Sequence, residues 1–497
     1  MSALPVVVEP DPSLFYVLAD HKRAPILEAL QAARAAELAP FTAPGHKGGV
    51  GADAELLQLL GAELFRSDIW LNTRDFNDTL AEAEALAAHA WGAERAYFLV
   101  NGSSSGNHAY LLATIAPGDE VIVARDIHKS LLVGLILSGA RPVYLNPRFD
   151  RACNISLGID PTDLAATLDD HPDAKLVALV SPNYHGLSSD VHALAQVAHA
   201  RGVPLYVDQA WGPHFGAHPE LPESAIDAGA DGAVVSVHKL LGSLSQGAIL
   251  FSNSARVNPD ALGSVVSMTQ TTSPLLPLLA SIDAARRQVA LYGEQLLNCA
   301  LYLAHDARRR LNNLPGLSVL TPETGDGPAY DPTRLVIDVH GLGLTGFQAE
   351  QLLRERFAIA PEMSDFLSVI CLVTAGDTPD SLNRLVAAFA LLAGEYRRPL
   401  AVPRHWTRSL SSVIASDEQQ LTPREAFYSS RRNVPLAQAA GEIAAEMLVP
   451  YPPGVPLVLP GEVISAEKID YLSEGIRHGI CIRGAADPSL LTVQVVD

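Results

Sequence analysis

The stretch Ala233-Val234-Val235-Ser236-Val237-His238-Lys239 is an apolar run that ends in a serine, a histidine and a lysine, and the Gly/Ser-rich segment 240–247 follows it. A β-branched run closed by such a loop predicts a buried strand with polar groups at its carboxyl end. Similar runs occur at 96–100, 120–124, 176–180, 203–207 and 248–251, with amphipathic helical stretches among them. The alternation predicts an α/β domain with a largely parallel sheet. In such sheets ligands sit beyond the carboxyl ends of the strands, so chemistry is expected just past each run.

Three of these ends carry informative residues. Asn101-Gly102-Ser103-Ser104-Ser105-Gly106-Asn107 follows the first run, ahead of a helix expected to begin near His108. Small residues let a backbone approach a ligand, and N–H groups at a helix N-terminus suit a phosphate. A serine-capped helix start is the plainer reading. Asp208, in Val207-Asp208-Gln209-Ala210-Trp211, stands directly after a strand. It suits a cationic ring nitrogen, a metal or a turn cap, the last being the commonest fate of a lone Asp. No neighbouring His/Asp/Glu group has convincing ligand spacing, so no metal site is expected.

Lys239 is the third. Desolvation at a strand end lowers an amine's pKa and makes it a better nucleophile, as a Schiff-base-forming lysine requires. A lysine snorkelling to solvent is the plainer alternative. The rival pair His128-Lys129 places Lys129 at a helix start, where a solvated lysine is expected. A phosphate cup, a strand-end carboxylate and a strand-end lysine, in this order on one sheet, are what pyridoxal phosphate (PLP) needs.

The 497 residues suffice for roughly three domains at ~150 residues each. Lys+Arg number 35 and Asp+Glu 55, a net charge of −20, which argues against nucleic-acid binding. The hydrophobic fraction of 48% and charged fraction of 18% describe a globular chain. Cys153, Cys299, Cys371 and Cys481 are scattered, so no disulfide framework or zinc site is expected. Residues 1–20 lack the basic start of a secretory signal, and no apolar stretch is long enough to span a bilayer. A cytoplasmic protein without membrane partners is expected.

Four segments are predicted. Residues 1–40 form an extended lead and a helix at 25–38. Residues 41–285 form the large domain. Residues 286–400 form a smaller α+β domain, entered by a helix at 277–310, with strands at 333–339 and 367–373 and helices at 346–356 and 379–392. A Pro/Arg-rich break at 397–408 leads to a C-terminal domain, 401–497, with a helix at 436–447 and a proline run that cannot be helical.

With these residues in view, the sequence resembles the ornithine/lysine/arginine decarboxylase family of fold-type-I, aspartate-aminotransferase-like PLP enzymes, in its short biosynthetic form. The resemblance covers nearly the whole chain. Besides the motifs above it is carried by Thr42-Ala43-Pro44-Gly45-His46-Lys47-Gly48-Gly49, His128-Lys129-Ser130, Gln270-Thr271-Thr272-Ser273-Pro274, Tyr451-Pro452-Pro453-Gly454-Val455-Pro456 and Pro460-Gly461-Glu462. It implies that Lys239 holds PLP, with His238 beside the reaction centre. It implies that Asp208 pairs with the ring nitrogen and His128 stacks on the ring. Ser104, Ser105 and Ser236 would bind the phosphate. Thr271 would reach the phosphate from a neighbouring subunit, giving a homodimer with a shared active site, or a higher homo-oligomer. Trp211 matches some members, and Gln209 stands where many have Glu.

The implied reaction is decarboxylation of arginine, lysine or ornithine to the amine, in polyamine metabolism. The substrate's distal cation calls for a carboxylate, and Glu362 and Asp365 are the candidates, though surface acids opening a helix read equally well. Other readings are a PLP aminotransferase, aldolase or cyclase of the same fold, or a non-catalytic regulatory relative. Aminotransferases commonly hold the substrate carboxylate with a small-domain arginine. Strand 367–374 has none, which favours decarboxylation. The intact Lys239, Asp208 and cup argue against a non-catalytic role.

Overall fold

Seven strands build the central sheet: β1 (Arg95–Leu99), β2 (Glu120–Ala124), β3 (Arg141–Leu145), β4 (Leu176–Val180), β5 (Leu205–Asp208), β6 (Gly232–Val235) and β7 (Ala248–Ser252), in the order β1-β7-β6-β5-β4-β2-β3. The computed structural model describes residues 20–69, 73–150, 155–254, 256–321, 328–396, 413, 418–451, 455–477 and 479–497. Strands β2 to β6 pair in parallel, and β7 runs antiparallel to both of its neighbours. Every residue of β5 and β6 is buried, as strands covered on both faces require.

The covering helices include α1 (Pro25–Ala35), α2 (Gly102–Thr114), α3 (Lys129–Ser138) and α4 (Leu276–Asn312). Helix α1 ends at Ala35 rather than 38. Helix α2 begins at Gly102, not near His108, so the serine cup is its first turn. Weak intrinsic propensity of Gly and Ser hid this start, which tertiary contact secures: Gly102 N–H donates to the Gln246 carbonyl (2.9 Å). A Cβ at Gly106 would lie 2.7 Å from Val234 Cγ2 and 2.9 Å from Leu99 Cδ1. Glycine there lets α2 lie directly on the sheet. Lys239 lies just past β6, on a single helical turn, Val237–Leu240.

Helix α4 leads to an antiparallel sheet of β8 (Ser318–Val319), β9 (Arg334–Asp338), β10 (Met363–Ser364) and β11 (Ser368–Leu372), in the order β8-β9-β11-β10. Helices α5 (Gly346–Phe357) and α6 (Pro379–Glu395) accompany it, each opened by a threonine capping box. Glu362 and Asp365 flank the short strand β10 and open no helix.

The break at 397–408 lies outside the described residues. The helix expected at 436–447 is absent. Leu436–Gln438 is a 3-10 turn, Gly441 sits at φ +83°, and Ile443 and Ala444 bridge to Val463 and Val495. Backbone pairing with distant chain overrides the helix propensity of an alanine-rich segment. The tail's longer helix is α7 (Ala466–Arg477) instead. Among the described residues no helix is long and apolar enough to cross a membrane.

Arg125, the residue after β2, bolts this tail to the sheet. Its guanidinium donates to the carbonyls of Pro456 (2.6 Å) and Leu457 (3.2 Å) and to Glu462 Oε2 (2.9 Å). Lys468 Nζ (3.1 Å) and Leu459 N–H (2.9 Å) donate to the same carboxylate oxygen. All three charged side chains are at most 2% exposed. A Cβ at Gly461 (φ +92°) would lie 2.1 Å from the Leu421 carbonyl oxygen, so a glycine shapes the turn that presents Glu462. Removing the one anion between two buried cations is far costlier than an exposed pair would suggest. Glu462→Ala is expected to lower stability by about 3–5 kcal/mol in chemical denaturation. A loss below ~1 kcal/mol, the range of an exposed pair, would show that the tail is held by other contacts.

Candidate active site

Lys239, Asp208 and His128 line one cavity at the carboxyl ends of β2, β5 and β6. The residue that joins their supports is Asn107, on the sheet-facing side of α2 and fully buried. Tyr206 O–H donates to Asn107 Oδ1 (2.8 Å), which orients the amide. Asn107 Nδ2 then donates to Asp208 Oδ2 (2.7 Å) and to Ser130 Oγ (2.8 Å). Ala210 N–H donates to Asp208 Oδ1 (3.1 Å), so both carboxylate oxygens accept a hydrogen bond.

The same network sets His128. Ser130 N–H donates to His128 Nδ1 (3.3 Å), and Ser130 Oγ, which accepts from Asn107, turns its own proton to the same nitrogen, 2.7 Å away. Nδ1 is therefore an acceptor and the imidazole is neutral, protonated at Nε2. Burial lowers the His128 pKa, in agreement. His238 has the opposite tautomer: its Nδ1–H donates to the Gly247 carbonyl (2.8 Å), leaving Nε2 as the free nitrogen. Burial lowers its pKa too.

Lys239 Nζ lies 3.8 Å from the centroid of the Trp211 ring. Burial pushes its pKa down to about 8, against the opposing pull of Asp208. Trp211 is positioned by Arg334 on β9, whose guanidinium carbon is 4.6 Å from the same ring and whose Nη2 donates to the Trp211 carbonyl (2.9 Å). Arg334 also donates to the Tyr184 carbonyl (3.1 Å) and to Asp331 (3.3 Å). Gln209 braces the same loop, donating to the Gly212 carbonyl and accepting from Ala225 N–H, both at 2.6 Å.

Among the serines, Ser236 Oγ donates to Ser103 Oγ (3.0 Å), so Ser103, which also lines the cavity, joins the cup. Ser104 stands in the first turn of α2, where N–H groups lack intrahelical acceptors. The Ser105 hydroxyl is buried and donates to the Gly102 carbonyl (2.8 Å), so it caps its own turn. Free helix N–H groups, a buried carboxylate and a desolvated amine around one cavity form a donor set that fits PLP.

Three expected residues are not gathered here. Thr271 is exposed and its hydroxyl is held within its own turn, accepting from Ser273 N–H (3.2 Å) and meeting Ser273 Oγ (3.3 Å), while its neighbour Gln270 clamps the end of β1 through Phe98 and Val100. Glu362 is exposed and lines a different cleft, with Cys371 and Asp377. Asp365 is bound into its own turn by Leu367 N–H (2.8 Å) and Ser368 N–H (2.6 Å), and it pairs with His185 Nε2 (3.3 Å). Sequence reasoning missed Asn107, Ser103, Ser130 and Arg334. A helix started at Gly102 would have placed Ser103 and Asn107, four residues apart, on one face.

In protein freed of cofactor, acylation of Lys239 followed by peptide mapping should rise with pH to a midpoint near 8 rather than the ordinary 10.5. A midpoint near the ordinary value would mean that the amine reaches bulk water.

The chain matches the family model for the Orn/Lys/Arg decarboxylase major domain over residues 24–381 and that for the C-terminal domain over residues 407–477. It is 38% identical over 467 residues to an arginine decarboxylase of Bacillus subtilis, covering 92% of this chain and 94% of the relative. It is 36% identical over 495 residues to an arginine decarboxylase of Bacillus anthracis, covering 97% of each. The fold matches the lysine decarboxylase LdcF of Francisella novicida with a TM-score of 0.82 at 22% identity, over 96% of this chain and 82% of that one. The architecture is that of the fold-type-I PLP enzymes, and the chain belongs to the Orn/Lys/Arg decarboxylase family and is an amino-acid decarboxylase.

Proposed function

We propose that the protein is a PLP-dependent arginine decarboxylase, acting as a cytoplasmic homodimer whose amine product enters polyamine metabolism. The choice of arginine is supported by the names of the relatives at 36–38% identity. The observation that carries the chemistry is the buried Lys239 amine, pushed down to about 8, in one cavity with an Asp208 whose two oxygens each accept an N–H.

In this reading PLP, when bound, supplies the electron sink that stabilises the charge left as the Cα–carboxylate bond breaks. The chain supplies the rest. Lys239, whose amine burial pushes down to about 8, would be the nucleophile that holds PLP. Asp208 would pair with the ring nitrogen and keep it protonated, and Asn107 and Ala210 fix its carboxylate. His128, neutral, would pack on the ring without adding charge. The first turn of α2, with Ser103, Ser104 and Ser236, takes the phosphate. His238 Nε2 or Lys239 Nζ delivers the proton to Cα. Arg334 donates to three protein acceptors, which disfavours its use as the carboxylate clamp of an aminotransferase.

The subunit contact is supported by exposed apolar residues, including Phe41 (96%) and Val50 (92%), and by the exposure of Thr271. A phosphate that bridges subunits binds only the assembled state and so stabilises it.

Two expectations test the reading. Borohydride reduction of the holoenzyme should label Lys239, and incubation with arginine, lysine and ornithine separately should release most carbon dioxide from arginine. A label on Lys129, or no carbon dioxide from any of the three, would overturn it. Asp208→Asn should lose about three decades in rate, roughly 4 kcal/mol of transition-state stabilisation. For the shared site, Thr271→Ala should weaken PLP binding about 10–100-fold, and sedimentation should show a weaker dimer without PLP. Full activity in a monomer would remove Thr271 from the site.

A further inference from the structure

Decarboxylation of a basic amino acid leaves one charge to be placed: the cation at the end of the substrate side chain. Asp365 is bound into its own turn, and Glu362 lines another cleft. A charge count over the described cavity residues narrows the choice. Lys239 and Asp208 are assigned to the cofactor. His185 pairs with Asp365, and His128 is neutral. Arg334, behind Trp211, pairs with Asp331. The charged group left without a cationic counterpart is Asp126.

Asp126 follows Arg125 at the carboxyl end of β2, but the Arg125 guanidinium is directed into the C-terminal tail. Among the described residues the only side chain hydrogen-bonded to Asp126 is Ser156, whose Oγ donates to Oδ2 at 2.7 Å. Ser156 is itself placed by the ribbon Arg148–Phe149 with Ser156–Gly158, and by Asn183 Nδ2, which donates to its carbonyl (2.7 Å). Phe149 and Val455 bring apolar surface to the same cavity.

We infer that Asp126, oriented by Ser156, is the carboxylate that receives the distal cation of a basic amino-acid substrate, with Phe149 and Val455 flanking the methylene chain. The inference rests on the decarboxylase reading. Burial raises the Asp126 carboxyl above its ordinary value, and an arriving cation opposes that shift. A neutral side chain of the same shape leaves the carboxylate desolvated and unpaired, which is how a polar site rejects an analogue.

The test uses the holoenzyme with arginine and with citrulline, its neutral isostere. Wild type should prefer arginine by about 100-fold or more in kcat/KM. Asp126→Asn should raise the KM for arginine and the inhibition constant of the amine product by about 10–100-fold each. It should shrink the arginine preference, and leave the visible absorbance of bound cofactor unchanged. Ser156→Ala keeps the charge and should raise both constants by a smaller factor, about 3–10-fold, so the idea stays testable if the first variant folds poorly. Unchanged constants in both variants, beside an active wild type, would overturn the role of Asp126 alone. A wild type that releases no carbon dioxide from any basic amino acid would remove the decarboxylase reading and the inference with it.

Discussion

The Asn107 carboxamide is the constraint on which the site's geometry depends. Its oxygen accepts from Tyr206 on β5, and its nitrogen donates to Asp208 at the end of the same strand and to Ser130 on α3. One buried side chain on α2 thereby fixes a carboxylate and, through Ser130, a histidine tautomer. In a low-dielectric interior such a network is rigid when every member is satisfied and costly when one is not. Gly106, beside Asn107, permits it by letting α2 rest on Val234 and Leu99.

The C-terminal tail is part of the same construction. Arg125 lies between β2 and His128, and its guanidinium holds the carbonyls of Pro456 and Leu457. The next residue toward the N-terminus, Val455, lines the cavity. The buried Arg125–Glu462–Lys468 cluster therefore sets the position of one cavity wall. Its geometric value lies in that registration more than in net stability, because desolvating three charges offsets much of their attraction.

Charge pairing divides the interior by task. Arg334 with Asp331 orients Trp211 under the Lys239 amine, and His185 with Asp365 joins the small sheet to the cavity edge. Both pairs are satisfied within the protein and leave the cavity's character to Lys239, Asp208 and Asp126. Lys239 is depressed because burial outweighs the attraction of a nearby carboxylate.

The sequence by itself determined the parallel sheet, the carboxyl-end location of the chemistry and the order of cup, carboxylate and lysine. Those features are local: a run of apolar residues and the polar residue after it are adjacent in the chain. The family likeness was legible for the same reason, since its motifs are short and contiguous. The start of α2 at Gly102 and the loss of the 436–447 helix were decided by tertiary structure, because contacts to Gln246, Val463 and Val495 outweigh weak local propensity. So were the contacts of Asn107, Arg334 and Asp126. Their partners lie as far away in sequence as 101 residues for Asn107 to Asp208, and 150 for Arg334 to Tyr184. A hydrogen bond at that separation leaves no periodic trace in the chain, and only the folded backbone brings its two ends together.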